Sequence, residues 1–396
     1  MKILITTDWY VPAINGVVTS VLNLKRQLEE RGCQVRILTL AQGENNRKWF
    51  CRGGGRRGDV WYLSSCGVGK LYPGARVVME TGRQIISEIA AWKPDIVHSQ
   101  CEFTTFPFAK KIAALSGARL IHTYHTVYED YTHYFSPNRT AGRAAVAAFS
   151  RCVLRNADQV IAPTEKVKRL LTEYGVDTPI AIVPSGIDCA MFEQAHREAV
   201  SKALDAPILV TVGRLAKEKN LEEIFGWLAC GRGKRYRLLV VGDGPYRDTL
   251  TENAKKLGIA ERVFFAGMVE PEEVAAWYQK GRIFVSASTS ETQGLTYLEA
   301  LAGGIPAVCR KDSCLDGVIQ NGVNGWQYRN QEEFFGALEW LERPDTYRAA
   351  SRQAMETARH FDRECFGDKI LEVYRECRKK EAAAWSLWQR QRKQFG

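Results

Sequence analysis

Short apolar runs alternate with stretches of helical period in this chain, and they do so in two separate blocks. In the first block, residues 2–7, 34–40, 95–98, 119–124, 158–162 and 178–183 read as strands. Helices are expected over 17–30, 75–92, 105–115 and 139–156. Strands without an inside-outside alternation are buried on both faces, as in parallel sheets, and helices supply their crossovers. Pro184, Ser185 and Gly186 read as an interdomain turn, after which the alternation restarts. Strands 207–212, 236–241, 262–265 and 282–286 are separated by helices 220–228, 247–257 and 271–279. Two such blocks predict an α/β protein with two Rossmann-like, doubly wound parallel-sheet domains facing a central cleft. The expected boundaries are 1–183, 184–360 and a C-terminal 361–396. This last segment reads as a helix returning towards the first domain, followed by a basic aromatic tail.

At 396 residues the chain has the length for two ordinary domains. No run of about 18 or more apolar residues suggests a transmembrane helix, and the N-terminus shows no signal-peptide pattern. Eleven cysteines without C-x-x-C spacing favour reduced thiols and argue against a zinc site. The net charge of +10 is uneven: residues 1–180 carry 24 Lys/Arg against 15 Asp/Glu, residues 181–374 carry 24 against 28, and residues 375–396 carry 7 against 2. A basic first half and a basic tail suggest an anionic partner such as membrane lipid or nucleic acid.

Three basic segments carry that excess. Residues 45–58, NNRKWFCRGGGRRG, read as an exposed mobile loop with Trp49 and Phe50. Residues 139–156 form a helix with Arg139, Arg143, Arg151 and Arg155 and no acidic residue. It reads equally as a membrane-surface helix or as a core helix with an arginine face. The tail AAAWSLWQRQRKQF sets Trp385, Trp388 and Phe395 among Arg390, Arg392 and Lys393. That is either an interfacial anchor or a helix packed back on the first domain.

The candidate site residues fall at the carboxyl ends of predicted strands, where open α/β sheets bind ligands. DWYVPAING ends at Gly16, at a helix start that either cradles phosphate or merely turns. HTYHTVYEDYTHYF holds His122, His125 and His133 with four tyrosines, and His125 lies just past a strand. In the second block Gly213 is followed by Arg214 and Lys219, placed to neutralise a diphosphate. Gly242 and Gly244 follow the next strand. SASTSETQGLTYLEA then places Glu291 in a loop and Glu299 in a helix, with the N–H groups of Gly294, Leu295 and Thr296 between them. Helix-start amides suit a diphosphate, and carboxylates suit sugar and ribose hydroxyls.

The motifs PAING, HTYHT, PSGID, GRLAKEKN, VGDGP and SASTSETQGLTYLEALAGGIP, in this order over residues 8 to about 310, resemble the retaining glycosyltransferases of the GT-B fold, family 4. HTYHTVYEDYTHYF and SETQGLTYLE are most similar to bacterial 1,2-diacylglycerol 3-α-glucosyltransferases. The resemblance implies a UDP-sugar donor, a lipid acceptor, an anionic membrane surface as a partner, and a cytoplasmic enzyme held peripherally on the inner face of the cell membrane. It implies that Glu291 holds the donor sugar, Glu299 the ribose, Arg214 and Lys219 the diphosphate, that Gly16 lies near diphosphate and acceptor, and that His125 lies beside the donor sugar. Many relatives have Gly-Phe or Pro-Phe after the first glutamate, whereas Thr292 and Gln293 follow Glu291 here. The resemblance further implies retention at the anomeric carbon with no metal or cofactor, and the chain has no Asp-x-Asp pair. The acceptor hydroxyl then attacks on the face the diphosphate leaves, and the diphosphate takes its proton. A family 4 enzyme with a soluble or other cell-envelope acceptor is the near alternative. A nucleic-acid-binding or nucleic-acid-modifying protein, or an epimerase or phosphorylase on the same fold, are the alternatives of another class; no RNA motif or DNA-reading helix is evident.

Overall fold

Ile3 and Ile5 face one side of the first strand and Leu4 the other, each into a different apolar cluster. Period-2 alternation with apolar residues at every position gives a two-faced core. The computed structural model describes residues 1–42, 50–53, 55–68, 75–129, 138–199 and 208–394, the side chains of 139, 199 and 380–394 excepted. Two compact units divide the chain, Met1–Gly186 with Glu364–Gly396, and Ile187–Arg363.

The first unit runs β1 Lys2–Thr6, α1 Gly16–Glu30, β2 Gln34–Leu40, β3 Phe50–Cys51, β4 Gly55–Arg57, β5 Val60–Leu63, β6 Ser65–Gly67, β7 Arg76–Val78, α2 Arg83–Trp92, β8 Ile96–Ser99, α3 Phe106–Ser116, β9 Arg119–Thr123, α4 Arg139–Leu154, β10 Gln159–Ala162, α5 Glu165–Glu173 and β11 Ile180–Ile182. Its main sheet has the order β11-β10-β9-β8-β1-β2-β5-β4, parallel except for the β4–β5 pair. Helices α2, α3, α4 and α5 cover the face of Leu4, and α1 covers the face of Ile3.

The second unit runs α6 Cys189–Ala199, β12 Ile208–Val212, α7 Leu221–Ala229, β13 Arg237–Val241, α8 Arg247–Lys256, β14 Val263–Gly267, α9 Val274–Tyr278, β15 Ile283–Ser286, α10 Leu295–Ala302, β16 Ala307–Arg310, β17 Gly325–Tyr328, α11 Gln331–Glu342 and α12 Pro344–Arg359. Its six strands are all parallel, in the order β14-β13-β12-β15-β16-β17. The C-terminal helix α13, Arg363–Gln394, brings Phe366, Ile370, Leu371 and Tyr374 into the first unit's core beside Ile3 and Ile5. The two doubly wound parallel sheets are therefore as expected.

Two local readings are corrected, and the structure bears on a third that was open. Residues 75–92 are not one helix: Arg76–Val78 is a strand, and the helix starts only after Gly82, whose φ is +57°. Residues 50–57 are not simply an exposed loop: Cys51 is buried and Gly55–Arg57 pairs antiparallel with β5. Within 45–58, residues 45–49, Trp49 among them, and Gly54 lie outside the described residues. Of the two readings of segment 139–156, the core helix with an arginine face is supported: α4 packs one side inward and leaves Arg143 and Arg151 exposed. Val146, Ser150 and Leu154 are buried, Arg143 pairs with Glu129 at 2.9 Å and Glu173 at 3.0 Å, and Arg151 donates to Tyr174 O at 2.6 Å. The tail's tryptophans and arginines have no described side chains, and Phe395 lies outside the described residues.

Candidate active site

In each sheet the first strand pairs on both sides with strands reached by different crossovers, and this switch point is where loops diverge and leave a crevice. In the second unit β12 lies between β13 and β15. The loop after β12 carries Arg214 and leads to a short 3₁₀ turn, Lys217–Lys219. The loop after β15 carries Glu291. Lys219 Nζ lies 2.5 Å from Glu291 Oε1, with both side chains part-buried. Partial burial limits solvent screening of this ion pair.

Helix α10 begins at Gly294, whose φ of +76° favours glycine, and no side chain caps it. A Cβ at Gly294 would meet Tyr297 Cδ2 at 2.5 Å. Leu295 and Thr296 therefore open a helix whose first N–H groups have no side-chain acceptor, a suitable seat for an anion. One turn further on, Glu299 Oε2 accepts from Tyr278 OH at 2.8 Å, and the same hydroxyl lies 3.1 Å from Thr296 O. Burial pushes the Glu299 carboxyl above its ordinary pKa, and the Tyr278 bond opposes this.

The glycines after β13 have a packing role. A Cβ on Gly242 would lie 2.0 Å from Gly213 O, and one on Gly244 would lie 2.2 Å from Leu215 O. Gly213 N donates to Val241 O and Leu215 N to Asp243 O, so the loops after β12 and β13 are laced together. These glycines hold the Arg214 loop in place. Neighbouring Glu223 takes Arg310 at 2.5 Å and Tyr328 OH at 3.1 Å, a cluster that no sequence pattern marked.

In the first unit the switch lies between β1 and β8. Asp8, just past β1, accepts from the backbone N–H groups of Thr104 at 2.9 Å and Thr105 at 2.7 Å, and burial raises its pKa. Gly16 is the exposed first residue of α1, which Asn15 caps through Val18 N at 3.0 Å. This pair is thus a capped helix start, with Gly16 open to solvent. His125 Nε2 lies 2.7 Å from Gln100 Oε1. Burial first, then the His122 ring, depress the His125 pKa against the pull of Glu102, leaving it at about 4. Buried Glu102 sits between His122 Nε2 at 3.1 Å and the Tyr128 hydroxyl. His122 and Tyr124 are core residues, whereas Tyr131, His133 and Tyr134 lie outside the described residues. Above Glu102, Phe103 is 52 % exposed, stacks on Phe149 at 5.3 Å and meets Tyr128 edge-on. Sequence reasoning missed Gln100, Glu102 and Asp8, although they too follow strands at their carboxyl ends.

Among the described residues no three His, Cys, Asp or Glu side chains are grouped to hold a metal ion, and no helix is long and apolar enough to cross a membrane.

The profile for Glycosyltransferase Family 4 matches residues 14–191, and that for Glycosyl transferases group 1 matches residues 192–358. The chain is 34 % identical over 351 residues to the alpha-monoglucosyldiacylglycerol synthase of Streptococcus pneumoniae, covering 85 % of this chain and 77 % of that protein. It is 29 % identical over 394 residues to the synthase of the same name from Acholeplasma laidlawii, covering 94 % and 96 %. Among solved structures, sucrose-phosphate synthase from Thermosynechococcus elongatus superimposes with a TM-score of 0.74 at 19 % identity, covering 95 % of this chain and 98 % of that one. Anabaena HepE in complex with UDP-glucose gives 0.72 at 16 % identity, covering 95 % and 100 %.

Proposed function

The chain belongs to the family 4 glycosyltransferases, enzymes of the GT-B fold, and on that premise we propose that it transfers glucose from UDP-glucose to 1,2-diacylglycerol at a membrane surface, with retention and without a metal. The observation that carries this reading is the similarity, across both units, to two alpha-monoglucosyldiacylglycerol synthases. The second unit supplies the donor chemistry. Arg214 and Lys219 neutralise the diphosphate, helped by the amides at Gly294, Leu295 and Thr296. Glu291 accepts from the sugar hydroxyls and Glu299 from the ribose. Because Lys219 already holds Glu291 at 2.5 Å, one cation both orients the sugar carboxylate and faces the leaving group. Negative charge grows on the departing diphosphate, and fixed cations stabilise it without reorganising. The acceptor hydroxyl attacks on the departing face and gives its proton to the diphosphate.

The first unit supplies the acceptor side, with His125 serving the donor sugar. Its basic excess and its exposed apolar side chains support a lipid surface. Phe50, Cys66 and Val77 stand opposite one another across β3, β6 and β7, so their side chains share one face; Phe50 and Val77 are exposed there, as is Met79 two residues on. A donor-by-acceptor screen, with the product linkage read by NMR, tests the assignment. Transfer to diacylglycerol from UDP-glucose is expected. Better transfer to a water-soluble sugar would leave a family 4 enzyme with another acceptor, and binding to duplex DNA in preference to anionic vesicles would return the nucleic-acid alternative.

A further inference from the structure

Gln100 is the first residue beyond β8, at the switch point of the first unit, and is only 2 % exposed. Its backbone N–H donates to Thr6 O at 2.8 Å, which ties it to β1. Its Oε1 meets His125 Nε2 at 2.7 Å, while its own Nε2 is buried and has no hydrogen-bond partner among the described residues. Burying an amide with one end unsatisfied is costly, and an apolar side chain of the same size would avoid that cost. The Gln100 amide nitrogen is closed off from solvent. What the amide does reach is one nitrogen of His125.

An amide oxygen only accepts, so the imidazole nitrogen facing it carries the proton, and the other nitrogen is the ring's acceptor. We propose that Gln100 is a positioning residue for the transfer reaction: it fixes His125 as the neutral Nε2–H tautomer and so keeps Nδ1 in the form that accepts a sugar hydroxyl. This rests on the assignment of His125 to the donor sugar. The charged and titratable groups around the ring explain why a neutral amide stands there. His122 on β9 disfavours a positive ring, and Glu102 on the β8–α3 loop favours one. Glu102 is already engaged by His122 and Tyr128. A second carboxylate at position 100 would tip the balance towards imidazolium, which has no acceptor nitrogen.

The experiment uses the full-length protein labelled with ¹⁵N-histidine, the His125 signals being assigned by their loss in His125→Asn. Long-range ¹H–¹⁵N correlation is expected to show the neutral Nε2–H tautomer across about pH 6 to 8 in the wild type. In Gln100→Glu the ring should titrate within that range, and kcat should acquire an acidic limb, falling at least tenfold relative to wild type at about pH 6 while recovering towards pH 8. Gln100→Leu should lower kcat at every pH without that limb and show mixed tautomers. A wild-type His125 protonated on Nδ1, or a Gln100→Glu pH profile parallel to that of the wild type, would overturn the proposal. The NMR readout needs no substrate. Failure of the UDP-glucose or diacylglycerol assignment would therefore show as inactivity in the screen, with the tautomer unaffected.

Discussion

Lys219 Nζ lies 2.5 Å from Glu291 Oε1, although the two residues are 72 positions apart in the chain. The loops after β12 and β15 bring them together, because those strands are neighbours in the sheet. A charge-assisted hydrogen bond of this kind contributes about 1.5–3 kcal/mol, and both side chains are part-buried. Glu291→Ala is expected to lose about tenfold or more, chiefly in kcat, and Lys219→Ala to weaken both donor binding and turnover. Steady-state kinetics with varied donor check this, and near-wild-type kinetics in Glu291→Ala would refute the site.

Glu299 makes a prediction about pH. Burial raises its folded-state pKa above the ordinary 4.5. Between the unfolded and folded values the native state binds the extra proton, so stability falls as pH rises through that window and stays lower above it. In the donor-free protein, Glu299→Gln is therefore expected to raise the Tm at pH 7 and to flatten its acid-to-neutral decline. Donor affinity should fall at the same time. A Glu299→Gln protein with a lower Tm at pH 7 and unchanged affinity would contradict both parts.

Gly242 tests the loop that carries Arg214. Its φ is +123°, and a Cβ there would meet Gly213 O at 2.0 Å, with backbone on both sides of the clash. Strain and overpacking each cost roughly 1–3 kcal/mol. Gly242→Ala is expected to shift the urea midpoint accordingly and to reduce donor affinity as the loop is displaced. Exposed Gly231→Ala, which has nothing within 4 Å of the added carbon, should do neither.

The architecture was legible because alternation of buried strands and helices is a local signal repeated many times. Residues 76–78 and 50–57 were misread because strands of two or three residues have no period of their own. Their pairing depends on distant partners, as Arg76 shows by reaching Ser65 at 2.8 Å. Glu291, Arg214 and Lys219 could be singled out because each follows a strand's carboxyl end within a recognisable motif, and of these Lys219 and Glu291 meet in the structure. Gln100 and Glu102 obey the same positional rule, but their importance lies in contacts to β9 and the segment beyond it, which sequence order hides. Nor does any local pattern announce that Tyr374 on the last helix bonds His98 at 2.6 Å, 276 residues away.

Activity is expected to survive excess EDTA. The positive charge for the leaving diphosphate is assigned to Arg214 and Lys219, with helix-start amides beside them. Turnover measured with and without chelator should agree within about twofold, since a metal supplying the same stabilisation would be worth several kcal/mol. Abolition by EDTA with recovery on adding Mg²⁺ or Mn²⁺ would show that the charge assignment is wrong.

The membrane prediction concerns the small sheet β3-β6-β7. Ser65 lies on its inner face and is buried, with Val78 packed against the core beside it, while Phe50 and Val77 stand on the outer face at 47 % and 37 % exposure and Met79 follows at 53 %. Arg52, exposed, directly follows β3. The first 180 residues carry 24 basic against 15 acidic side chains, a net of +9. Each basic group near an anionic surface contributes about 1 kcal/mol and decays over a Debye length, whereas burial of apolar surface contributes about 25 cal/mol per Å² and is insensitive to salt. Binding to phosphatidylglycerol vesicles is therefore expected at low salt and should weaken as salt rises. Phe50→Ser with Met79→Ser should lower partitioning by a similar factor at every salt concentration. Arg52→Glu should instead flatten the salt dependence. Vesicle flotation across a salt series reads both, with circular dichroism confirming that the variants are folded. If the wild type stays in solution with these vesicles at low salt and a water-soluble sugar outperforms diacylglycerol as acceptor, the lipid reading is lost and a glycosyltransferase with a soluble acceptor remains.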